Sequence, residues 1–230
     1  MKKAEDMGFD ARRMRKSAQA LYRLCRGSGN IPHFIYSHWP GLIDWFSFRR
    51  KSTTEHLTNF SRAVKSVNQK LLTGIYLFTP SLAFLVGQHY PDIATVMDMF
   101  APMIYRKYKA TDGPACLNFE LEAVFNIING IFRNAARTEA LLNAITGYRV
   151  TSQSSKEGFP TDIVYSETQK AVALANGKKV VPIIMLDDDQ LMESISACGE
   201  GGADGVNFFV WDEKCIETAM NNGAFTVARR

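Results

Sequence analysis

Short apolar runs alternate along this chain with stretches whose apolar positions recur every three or four residues. Residues 74–80 (GIYLFTP), 98–105 (DMFAPMIY), 180–186 (VVPIIML) and 205–211 (GVNFFVW) are apolar on both faces over five to eight residues, the signature of buried strands. Between them the period is helical. Met14, Ala18, Leu21, Tyr22 and Cys25 predict a helix over residues 10–25, with Asp10 as its N-cap and Gly27-Ser28-Gly29-Asn30 as its stop. Trp45, Phe46, Phe48, Leu57, Phe60, Val64 and Val67 predict a second helix with these side chains on roughly one face. A long helix is expected over residues 117–145, with Gly130 as its weak point. Another is expected from Thr161 or Asp162 to Gly177, and shorter ones over 187–199 and 212–222. Residues 31–40, 107–114 and 151–160 read as loops.

Strand and helix in alternation predict an α/β fold with a parallel sheet, in a single domain over residues 1–230. A doubly wound nucleotide binder would place a glycine-rich turn after its first strand, and GIYLFTPS contains neither GxGxxG nor GxxxxGK[ST]. The preferred expectation is therefore a (β/α)8, TIM-barrel-like architecture. A whole barrel takes about 250 residues for eight strands. Four strand-like runs in 230 residues predict only about four strand–helix units.

Composition narrows the function classes. The chain is 46% hydrophobic and 22% charged, as in ordinary globular proteins. Its formal charge is +4, but the densest basic cluster, Arg12, Arg13, Arg15, Lys16 and Arg23, has no interleaved aromatic platform and reads as a solvated helix face, so no nucleic-acid partner is expected. No apolar run is long enough to span a membrane. The start of the chain lacks an apolar signal-peptide core, so a cytoplasmic location is the default expectation. Cys25, Cys116, Cys198 and Cys215 form no CxxC or Cys/His spacing, and His33, His38, His56 and His89 form no ligand spacing. Free thiols, no metal and no cofactor are expected.

Three segments carry a resemblance. Asp98 to Tyr105 is similar to the D-y-i-s-P-M-x-Y strand found near the sixth position of glycoside-hydrolase-like TIM barrels, a loose group of bacterial families mostly of unknown function. Leu77 to Gln88 (LFTPSLAFLVGQ) resembles the preceding strand and its Gly-Gln, and Gly202 to Trp211 resembles the aromatic-rich eighth strand of that group. KKAEDMGFDARRM looks like the helix that follows the fourth strand. The resemblance implies that the chain holds units five to eight and lacks the strand-four carboxylate on which related glycosidases commonly rely. It implies an O-glycosidase acting on a carbohydrate. The alternatives are a non-catalytic or carbohydrate-binding barrel fragment and, ranked lower, a phosphate-binding barrel, suggested by Gly201 to Val206 (GGADGV).

In such sheets chemistry collects past the strand C-termini, and glycoside hydrolysis ordinarily needs two carboxyl groups about 5–9.5 Å apart. Asp187 follows the third strand, Asp212 the fourth, and Glu120 the loop after the second; these are the candidate catalytic residues. Each also has a structural explanation as a helix cap or first-turn charge. Tyr105, Arg106 and Trp211 are the candidate substrate contacts, a phenol, a guanidinium and an indole suited to a hydroxyl-rich ring. Asp98, at the opposite end of its strand, is expected to be structural. A half barrel would leave open sheet edges, so self-association is expected through them.

Overall fold

The computed structural model describes Lys16, Gln19 and residues 40–107, 117–210 and 213–221. Apart from Lys16 and Gln19, which are helical, the helix expected over residues 10–25 lies outside the described residues. The protein is mixed α/β with a parallel sheet. It divides into two compact units, one containing Leu117–Gly158 with the chain up to Asp44, the other running from Trp45 to Cys116 and from Phe159 onward.

The sheet belongs to the second unit. Helix α1 (Pro40–Val67) leads into β1 (Gly74–Phe78), followed by the short α2 (Pro80–Ala83), a 3-10 turn (Phe84–Val86), α3 (Tyr90–Ile93) and β2 (Met99–Met103). Later in the chain come α7 (Asp162–Leu174), β3 (Lys179–Val180), β4 (Ile183–Met185), α8 (Leu191–Glu200), β5 (Asn207–Phe209) and α9 (Lys214–Asn221). All pairings are parallel, and the order β1-β2-β4-β5 follows the order of the chain, with β3 also on β2. Ile75 lies opposite Phe100, Met103 opposite Ile183, and Ile184 opposite Phe208.

The run VVPIIML, expected as one strand, is two. Pro182 has no N–H and interrupts the ladder, but Val181 N still donates to Phe100 O (2.8 Å) and Pro182 O accepts from Asn207 N (2.8 Å), so the sheet stays continuous. The next helix begins at Leu191 rather than at residue 187, because residues 187–190 turn first and the Asp188 carboxylate takes the Gln190 N–H (2.9 Å).

One face of the sheet is closed by helices. Leu77, Phe100 and Val180 pack with Ala83 of α2, Tyr90 and Ile93 of α3, and Ala171 of α7, and Leu57 of α1 leans on the same cluster. Strand alternation sends Tyr76 to the other face, where it is 68% exposed. Along α1, Phe46, Leu57 and Val64 share a face at whole-turn spacing, and the Phe46 ring meets Phe84 edge-on at 5.5 Å. Trp45, Phe48, Phe60 and Val67, expected on that face, are exposed instead.

Gly87 closes the segment after β1 with φ 77°, and a Cβ there would come within 2.8 Å of the Arg49 backbone carbonyl. Both the left-handed backbone and the close approach demand glycine. Gly87→Ala is expected to cost roughly 1–3 kcal/mol, read as a lower urea midpoint, whereas Gly177→Ala, also at positive φ but in open space, lacks the collision term and costs less.

The first unit is helical. The long helix expected over residues 117–145 is broken into α4 (Leu117–Phe132) and α5 (Ala135–Thr146), not at Gly130 but at Arg133, which takes φ 49°. Asn134 then caps α5 by accepting from Arg137 N at 3.0 Å. Gly147 ends α5 at φ 72°. Within the segment expected as a loop, α6 (Ser154–Glu157) forms, seeded by reciprocal bonds of Thr151 and Ser154: Thr151 N to Ser154 Oγ (2.8 Å) and Ser154 N to Thr151 Oγ1 (3.0 Å).

Candidate functional site

The C-terminal ends of β1, β2 and β4 form one rim of the sheet. Beyond β1, Thr79 is buried and its hydroxyl donates to Met103 O (2.9 Å), tying the ends of β1 and β2 together. Phe78 is held from both sides, its N–H by Gln88 Oε1 (2.7 Å) and its carbonyl by the Tyr90 hydroxyl (2.7 Å).

Beyond β2 the chain turns through Tyr105, Arg106 and Lys107. Arg106 is only 4% exposed. Its guanidinium forks onto Asp188, with Nε donating to Oδ2 (2.7 Å) and Nη2 to Oδ1. Nη2 also reaches Asp189 Oδ1 (2.9 Å), and Nη1 donates to Phe159 O (2.6 Å). Lys107 Nζ meets the other Asp189 oxygen at 2.8 Å. The Asp188 side chain is 3% exposed and also accepts from Ser194 Oγ (3.0 Å) and Gln190 N. A buried charge survives only when its hydrogen-bonding capacity is met, and here both Arg106 and Asp188 meet it. The network pins three segments: the loop after β2, the loop after β4 and the approach to α7.

The hydrogen bond from Lys107, with the nearby Arg106 charge, holds the Asp189 carboxyl down to about 2. A carboxyl depressed by folding stabilises the native state above its ordinary value near 3.8, and that contribution is lost as pH falls through its folded value. The urea midpoint is therefore expected to drop between about pH 4 and pH 2, with a smaller drop in Asp189→Asn. The contribution is modest because this side chain is 45% exposed and screened.

Asp187, immediately before this network, is half-buried and has no hydrogen-bond or ion-pair partner among the described residues. Tyr105 is 7% exposed, with its ring 5.5 Å from Phe209. Tyr105, Arg106 and Asp187 thus share the rim. Arg106 faces its own chain's carboxylates, and Tyr105 packs in the core. Glu120 belongs to α4 in the other unit, and its side chain lies outside what is described. Asp212 and Trp211 lie outside the described residues.

Sequence reasoning missed Glu167. It sits in α7, completely buried, and accepts from Ser81 N (2.9 Å), Ser81 Oγ (2.7 Å) and Lys170 Nζ (2.6 Å). Burial of the Tyr90 phenol, and after it the Glu167 charge, push that phenol well above its usual value. No local pattern marks Glu167, because Ser81 lies 86 residues away in the chain.

At the opposite end of the sheet, Asp98 accepts from Thr73 N (2.9 Å), Thr73 Oγ1 (3.1 Å) and Lys65 Nζ (2.7 Å). The Lys65 bond leads in holding its carboxyl below the ordinary range. The glycines of GGADGV are used in packing and turning: a Cβ on Gly201 would meet Thr168 Cβ at 2.8 Å, and Gly202 has φ 90°. Asp204 accepts from Val180 N (2.8 Å).

Cys198 is a free, buried thiol, pushed up to about 12 by burial. Among the described residues no three His, Cys, Asp or Glu side chains gather as a metal site would require. No described helix is long and apolar enough to cross a membrane. Comparison with protein-family models, curated sequences and solved structures finds no significant match to this chain.

Proposed function

We propose that this chain forms the last four strand–helix units of a glycoside-hydrolase-like (β/α)8 barrel, and that the rim at the strand C-termini binds a carbohydrate. The observation that carries the reading is Asp187. It is half-buried and unengaged among the described residues, while Asp188 and Asp189 beside it are taken up by Arg106 and Lys107. The ion-pair network holds the loop after β4 in place, so the Asp187 carboxyl is presented by fixed backbone rather than by a loose loop. A chain-ordered parallel sheet with its helices on the core face is the arrangement such units share, and it supports the reading.

Asp187 supplies one of the two carboxyl groups that hydrolysis of an O-glycosidic bond needs. Asp212 is the candidate for the other, and Trp211 for a sugar contact. The outer edges of β1 and β5 have no strand partner among the described residues, and association through them would complete the barrel. A non-catalytic carbohydrate-binding role is the second reading. It is favoured by the saturation of Arg106, which leaves a single unengaged carboxylate on the described rim.

The test is turnover of a panel of aryl glycosides. Hydrolysis that falls by about 100-fold or more in Asp187→Asn but persists in Asp189→Asn supports the hydrolase. Absence of turnover together with saturable oligosaccharide binding supports the second reading. Absence of both removes the carbohydrate proposal.

A further inference from the structure

We infer that a groove at the N-terminal end of the sheet, remote from the rim, binds a phosphate-sized dianion. The groove, open to solvent, offers about 370 Å³ between the C-terminal half of α1, the turn after α3, the entry to β2 and the turn before β3. Arg62 and Lys65 enter from α1, and Lys178 enters from the turn before β3. The carboxylate lining it is Asp98, whose Oδ2 accepts from Lys65 Nζ, Thr73 N and Thr73 Oγ1, so its single charge is matched by Lys65.

Two cations are left over. Arg62 makes one side-chain hydrogen bond, a long one of 3.3 Å to the neutral Asn59. Lys178 is half-buried and has no side-chain partner among the described residues. Its place on a groove that Arg62 also lines, with neither cation paired to a carboxylate among the described residues, is explained by an anionic ligand.

The hydroxyls do not compete for that role. Thr58 Oγ1 gives its proton to Thr54 O (2.7 Å), Thr95 Oγ1 gives its proton to Asp92 O (2.7 Å), and the buried Ser61 Oγ lies 3.4 Å from Thr73 Oγ1, which itself donates to Asp98, so the principal donors left for a ligand are cationic. Two unopposed positive charges, with further N–H groups on Lys65, match a dianion whose oxygens are all acceptors. That description fits inorganic phosphate or a phosphate monoester. A planar monoanionic carboxylate would neutralise only one of the two cations.

The experiment is calorimetric titration of the full chain with inorganic phosphate at low ionic strength, with sodium chloride at matched ionic strength as the reference. Saturable one-to-one binding is expected, weakened about tenfold or more by Arg62→Gln and by Lys178→Gln and weakened progressively by added salt. Lys70→Gln, on the exposed turn beyond α1, should bind as the unaltered chain does. Arg62 and Lys70 are exposed and Lys178 is half-buried, and far-ultraviolet circular dichroism verifies that each variant folds. Absence of saturable phosphate binding, or binding equally strong in Arg62→Gln and Lys178→Gln, overturns the inference.

Discussion

Replacing Arg106 by Met should destabilise the protein by about 3–5 kcal/mol, the range observed when one partner of a buried ion pair is removed. The side chain is 4% exposed and Asp188 is 3% exposed, so neither charge can turn to water when the other is lost. Asp188 would retain only the Ser194 hydroxyl and the Gln190 N–H. The carbonyl of Phe159 would also lose its donor from Nη1. Urea unfolding measures the effect, and two companions give it meaning. Lys107→Met removes a more exposed cation from the same cluster and should cost no more than about 1 kcal/mol. The double variant Arg106→Met/Asp188→Leu removes both buried charges and should recover most of the loss. If Arg106→Met were as stable as the unaltered chain, the rim would not be held by this pair, and the fixed presentation of Asp187 would lose its physical basis.

Glu167→Ala is expected to cost about 2–4 kcal/mol, combining unmet donors with a small cavity. The carboxylate is wholly buried and gathers the Ser81 N–H, the Ser81 hydroxyl and the Lys170 ammonium. Its removal unties α7 from the start of α2, just beyond the end of β1. Glu167→Gln keeps the shape and one acceptor oxygen but replaces charge-assisted bonds by neutral ones, so its loss should be about half as large. The same unfolding experiment separates the two. A Gln variant as damaging as Ala would show that the charge, rather than the filled volume and the acceptor, dominates.

These two residues also show how much of the molecule can be read from the chain. β1 and β2 were legible because both are short, apolar on both faces and bounded by turn residues. The parallel sheet followed from their alternation with helices. The break at Pro182 was legible in principle, since proline cannot donate within a ladder, but the apolar run on either side outweighed it. The break at Arg133 was not. Gly130 is the weaker helix former, yet Asn134 provides a cap just downstream, and the cap set the boundary. Helix α1 misled in another way, since its aromatic positions fall on two stripes and Trp45, Phe48 and Phe60 face solvent.

The residues of the rim were legible in position and not in pairing. Strand C-termini pointed to Tyr105, Arg106 and Asp187 as a group. The partnership of Arg106 with Asp188 spans 82 residues and that of Glu167 with Ser81 spans 86. In a chain with 27 basic and 23 acidic residues, opposite charges are everywhere, and only the folded sheet selects which of them meet. Asp187, Asp188 and Asp189 are adjacent and chemically identical. One has no partner among the described residues, one is buried in a guanidinium fork and one is shared between two cations, a distinction that neighbouring positions in the sequence do not carry.

The measurement that tests the account most directly is amide chemical-shift mapping of the full chain with a panel of neutral oligosaccharides. The account predicts saturable perturbations confined to the rim, around Thr79, Tyr105 to Lys107 and Leu186 to Gln190, and their loss in Asp187→Asn while the remaining spectrum is preserved. Perturbations centred on the Asp98 end of the sheet, or a rim that no oligosaccharide perturbs, would contradict it.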